Sequence, residues 1–149
     1  MRIWHIDLLP YLPDLQFKGQ LRELVAIMHD WRDKEKTNHI LINRVMDYPK
    51  SELLLYFETY ASIHALRYNK LLSQHYYEEF REFAYGSKIS FNPNLELFDG
   101  WHDKEYLRCN MANLYEKHEF AKGKSRITDE EWQRLLDGYK KITGEEYKI

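Results

Sequence analysis

Residues 14–33 read DLQFKGQLRELVAIMHDWRD. Leu15, Gly19, Leu21, Leu24, Val25, Met28 and Trp31 recur at three- and four-residue spacings, which predicts an amphipathic helix over Asp14–Asp33. Asp14 suits the N-cap, and Lys18, Arg22, Asp30 and Arg32 form the opposite, solvated face. Working outward, His39–Met46 predicts a short helix that must end before Pro49. Ser51 is a good N-cap for another, carried by Leu53, Leu54, Phe57, Tyr60, Ala61 and Ile63. LLSQHYYEEFREFAYG (71–86) supplies a further helix stopped by Gly86, and KISFNPNLELFDG (88–100) reads as a loop. Asp103 opens a helix through Tyr106, Leu107, Met111, Leu114 and Tyr115, and the capping box Thr128-x-x-Glu131 precedes Trp132, Leu135 and Leu136. With no strand pattern, repeat or linker, the expectation is one compact multi-helix all-α domain spanning 1–149.

A chain of 149 residues with 44% hydrophobic and 31% charged content can bury a core. No apolar run approaches the roughly 20 residues of a membrane span, and Asp7, Pro10 and Pro13 interrupt any signal-peptide pattern. The single cysteine, Cys109, excludes an internal disulfide and fits a reducing cytoplasm. Net charge is −2, which by itself draws no nucleic acid. The distribution is uneven: residues 51–100 carry four Lys/Arg against seven Asp/Glu, whereas 1–50 carry eight against seven and 101–149 ten against ten. A basic face is therefore expected from the first and last thirds.

Several motifs fail on spacing. Gly123-Lys124-Ser125 lacks the earlier glycine of a phosphate loop, since His118 holds that position. The seven histidines include no HExxH and there is no cysteine pair, so neither a metal nor another cofactor is expected. Asp129, Glu130 and Glu131 read as a first helical turn favoured by the dipole. Two features remain. The chain starts MRIWHIDLL, where Ile3, Trp4, Ile6, Leu8 and Leu9 can all pack, although chain ends ordinarily fray. Glu23 lies beside Leu21, Leu24 and Val25 at the edge of an apolar stripe, where a carboxylate can be partly desolvated.

MRIWH, Leu12, Asp14 and the run Arg22-Glu23-Leu24, with ANLYEK at 112–117, resemble the pyrimidine-dimer DNA glycosylase (endonuclease V-like) family, the bacterial branch most closely. The resemblance implies an all-α enzyme that cleaves the glycosidic bond of a damaged base in duplex DNA without a metal and then cuts the abasic strand as a lyase. In such a family the nucleophile is the backbone α-amine of the first residue, and a glutamate on the first long helix assists. Arg2-Ile3 matches the residues that follow the nucleophile, and a second residue as large as Arg2 should leave the initiator in place. The resemblance therefore implies Met1 as nucleophile through its backbone amine and Glu23 as its helper.

The same resemblance implies Arg2, Arg22 and Lys117 as phosphate contacts, with Trp4 and His5 at the pocket; Trp4 reads equally as a core anchor. It also shows departures. Gln16 stands where the family has a phosphate-contacting histidine, Ala26 and Asn113 where it has arginines, and the pI of about 6.4 is low. Each lost phosphate contact weakens binding and flattens its salt dependence. The expected partner is damaged double-stranded DNA, engaged by a cytoplasmic monomer without a membrane. The rival readings are a nucleic-acid-binding module without catalysis and a helical protein-interaction domain.

Overall fold

The computed structural model describes residues 1–87 and 96–149. A 3-10 turn (Ile6–Tyr11) leads into α1 (Asp14–Asp33), α2 (Ile40–Val45), α3 (Lys50–Tyr68), α4 (Gln74–Ala84) and α5 (Lys104–Glu119). A second 3-10 turn, Gly123–Ser125, precedes α6 (Asp129–Thr143). The described residues contain no strand, and the all-α expectation holds. None of their helices is long and apolar enough to cross a membrane.

The helix ends follow local chemistry. The Asp103 carboxylate accepts from the Tyr106 N–H at 2.9 Å. Thr128 and Glu131 exchange both hydrogen bonds of a capping box, at 3.0 and 3.1 Å. Two starts differ from expectation. Pro13 and Pro49 occupy the cap positions, so α1 begins on Asp14 itself and α3 at Lys50, one residue before Ser51. Freed from capping, the Asp14 carboxylate accepts from the Tyr68 hydroxyl at 2.5 Å and from Arg67 at 2.9 Å, tying α1 to the end of α3.

Residues 88–95 of the expected loop lie outside the described residues. The remainder, 96–100, is a turn without helix or strand, as expected of a loop, yet it contributes to the core. Leu97 and Phe98 are buried, and Phe98 takes a left-handed φ of 56°. That conformation is costly for a non-glycine residue. Its ring is buried against Tyr48, Tyr56, Trp101 and His102, and its N–H donates to Glu52 at 2.9 Å.

One continuous core joins all six helices to the chain start, with Ile3, Leu8, Leu9 and Leu12 fully buried beside Phe17, Tyr56, Phe57 and Tyr60. Helix α6 closes over the first turn because Gly138, lacking a Cβ, leaves room for the Tyr11 ring. Half of the sequence's first twelve residues are thus buried in the interior.

His102 sits in this core with neither ring nitrogen hydrogen-bonded among the described residues, packed against Tyr106, Trp101 and Phe98. Burial, reinforced by the nearby His5 and Arg44, pushes its pKa down from 6.5 to about 3. The folded chain keeps this ring neutral where the unfolded chain protonates it. Its contribution to stability is therefore complete above pH 6.5 and is lost progressively as pH falls toward about 3. His5, lowered mainly by burial, acts in the same direction. His102→Phe should flatten the dependence of the urea midpoint on pH between about 4 and 6.5. An unchanged slope would remove His102 as its source.

Candidate active site

Residues 1–5 have no regular secondary structure, yet Ile3, Trp4 and His5 are buried. Buried backbone groups need partners, and side chains supply them here. The Arg2 N–H donates to Glu23 Oε2 at 3.0 Å, and the Arg2 carbonyl accepts from Gln20 Nε2 at 2.8 Å. The Ile3 carbonyl accepts from the Tyr106 hydroxyl at 2.5 Å. The Trp4 N–H donates to Gln20 Oε1 at 2.8 Å, and the Trp4 carbonyl accepts from the Tyr56 hydroxyl at 2.5 Å. The His5 N–H donates to Asn110 Oδ1 at 2.7 Å. Side chains from α1, α3 and α5 hold the chain start among them.

Helix periodicity explains the placement. Gln20 and Glu23 stand one turn apart on α1, as Tyr106 and Asn110 do on α5. Gln20 is fully buried in line with Phe17, Leu24 and Ile27. Its amide can face only one way, because the Arg2 carbonyl requires a donor and the Trp4 N–H an acceptor. Burial raises the Tyr106 hydroxyl pKa; Asn110 and Arg2 pull it back, while Cys109 and Glu23 add to it. Burial also raises Tyr56 well above its ordinary range. Both phenols stay protonated and remain hydrogen-bond donors at neutral pH.

The Met1 amine is one residue back from the nitrogen that Glu23 holds. Covalent geometry keeps it within about 7 Å of that carboxylate. The two groups therefore lie in one neighbourhood. Met1 is 50% exposed and Glu23 half-buried. The Arg2 guanidinium lies 4.7 Å over the Trp4 ring. Arg22 is exposed next to Glu23. Lys117 is half-buried on α5, about 16 Å along the helix from Tyr106.

Trp4 and His5 are 4% and 8% exposed, which makes both of them part of the interior. At the positions of departure, Asn113 donates to its own helix at the Cys109 carbonyl (3.0 Å), and the Gln16 side-chain oxygen is buried without a partner among the described residues. No group of three or more His, Cys, Asp or Glu among the described residues is arranged to hold a metal ion.

A family model described as pyrimidine dimer DNA glycosylase matches residues 1–75, half of the chain. The chain belongs to this family. Membership puts it among the DNA-repair glycosylases, with damaged DNA as substrate class. No curated protein and no solved structure matches the chain. The matched span carries Met1, Arg2, Gln20, Glu23 and Tyr56, and it ends just inside α4. Tyr106, Asn110 and Lys117 come from the part of the chain beyond it.

The residues that sequence reasoning missed are Gln20, Tyr56, Tyr106 and Asn110. Two carried a signal. Gln20 interrupts the buried stripe of α1 and Asn110 that of α5, and a polar residue on an apolar face needs a partner.

Proposed function

We propose that the protein is a DNA glycosylase with associated abasic-site lyase activity, acting on pyrimidine-dimer or abasic duplex DNA through the Met1 α-amine. The observation that carries this reading is the 3.0 Å hydrogen bond from the Arg2 N–H to Glu23, which keeps the amine beside a carboxylate. An α-amine titrates near 8, more than two units below lysine, so a usable fraction is neutral at pH 7.

The neutral nitrogen attacks C1′ of the damaged nucleotide while the C1′–N bond to the base breaks. The bond's electron pair leaves with the base, which takes up a proton. Loss of a proton from nitrogen, with C1′–O4′ opening and protonation of O4′, gives an imine. The imine acidifies the C2′ protons. Removal of one breaks the C3′–O3′ bond, and the phosphate leaves with that electron pair. Glu23 stabilises the cationic sugar and relays these protons.

Arg2 and Arg22 flank the reacting nucleotide as phosphate contacts. Lys117, further along α5, meets the flanking backbone. The reading requires a free amine on Met1 in the mature protein, which intact mass measurement reads directly. The test is borohydride trapping on duplexes carrying an abasic site or a thymine dimer. A covalent protein–DNA complex is expected on both. Salt-sensitive duplex binding without trapping would instead identify a binding module that has lost catalysis.

A further inference from the structure

We propose that Gln20 is a positioning residue: its side-chain amide fixes the Arg2-Ile3-Trp4 backbone against α1 and so sets the aim of the Met1 amine. This inference rests on the amine reading above. The hydrogen bond to Glu23 is a single contact, and a chain end held by one bond can pivot about it. Gln20 adds a bond on either side of Ile3, to the Arg2 carbonyl and the Trp4 N–H, each at 2.8 Å. An adjacent β-strand would bridge the same two groups in this way. Gln20 is fully buried, one turn from Glu23 on a helix, so the clamp and the carboxylate move as one body.

Rigidity matters here because misplacing a reacting group by about 1 Å can cost on the order of 100-fold in rate. The nucleophile is a backbone atom with no side-chain rotamer of its own to correct an error. Tyr106 and Tyr56 hold the Ile3 and Trp4 carbonyls, but only Gln20 among these side chains contacts both Arg2 and Trp4.

The two substitutions have different signatures. Gln20→Met keeps length and apolar fit but orphans the Arg2 carbonyl and the Trp4 N–H. Gln20→Glu keeps the acceptor for Trp4 but, when ionised, turns an oxygen against the Arg2 carbonyl. Once protonated, the same side chain donates to that carbonyl and restores both bonds. The ratio of Gln20→Glu to wild type should therefore rise as pH falls.

The experiment measures single-turnover borohydride trapping on abasic duplex with protein well above Kd, and Kd separately by fluorescence anisotropy. Gln20→Met should trap about 10- to 100-fold more slowly with Kd within about 3-fold of wild type. Gln20→Glu should show the rising ratio between about pH 8 and pH 5.5. Trapping by folded Gln20→Met at the wild-type rate overturns the proposal. So does a loss of rate matched by an equal loss of binding. If Gln20→Met does not fold, a flat Gln20→Glu ratio overturns it. Wild-type protein that traps nothing refutes the amine chemistry instead, and that result is visible without any variant.

Discussion

Protein acetylated on the Met1 α-amine is expected to form no borohydride-trappable complex with abasic duplex DNA, while circular dichroism reports an unchanged helical fold. The effect is the largest expected, because on the proposed mechanism the lone pair that attacks C1′ is tied into an amide by acylation and no later step can replace it. Lysine side chains are poor substitutes, since at neutral pH nearly all of an ordinary lysine population is protonated. The fold should tolerate the change: Met1 is half exposed, and the interior contacts begin at Arg2 and Ile3. An uncleaved N-terminal tag should act like the acetyl group. Trapping that survives either modification would move the nucleophile to a lysine.

Glu23→Gln should slow base release by about 100- to 10,000-fold, the range for loss of a positioned acid–base group, while duplex affinity changes little. The glutamine can still accept the Arg2 N–H through its side-chain oxygen, so the terminus keeps the anchor it has at 3.0 Å. What disappears is the negative charge beside a developing cationic sugar and the site that carries protons. A fall in kcat with KM unchanged is the expected pattern. Equal losses in binding and rate would mean that Glu23 serves only to fasten the chain start.

The helices were readable because their signals are local. The stripe of α1, the Asp103 cap and the Thr128–Glu131 box each lie within a few residues and needed no tertiary information. The cap of α1 moved by one residue and that of α3 by two because proline, with φ already near the required value, took the cap position from Asp14 and Ser51. Phe98 was unreadable, since a left-handed aromatic buried between helices follows from distant packing.

At the site, the packed chain start and Glu23 stood out by pattern, but the roles of Met1, Arg2 and Glu23 came from resemblance. Residue types alone do not distinguish an Arg-Glu pair on a helix from ordinary solvated surface. Gln20 could have been suspected from its buried register. Its partners could not, because backbone groups of residues 2 and 4 leave no mark in the identities of those residues.

The chain start has no helix or sheet of its own to belong to; its order is borrowed from α1, α3 and α5. Before those three helices dock, residues 1–5 have nothing to bind to, and the amine at their head is a freely moving group like that of any peptide. If the proposed amine chemistry holds, its placement is coupled to completion of the fold. On the proposed mechanism, a half-made or partly unfolded chain would carry the same atoms without the aim, and folding would act as a safety catch on its chemistry.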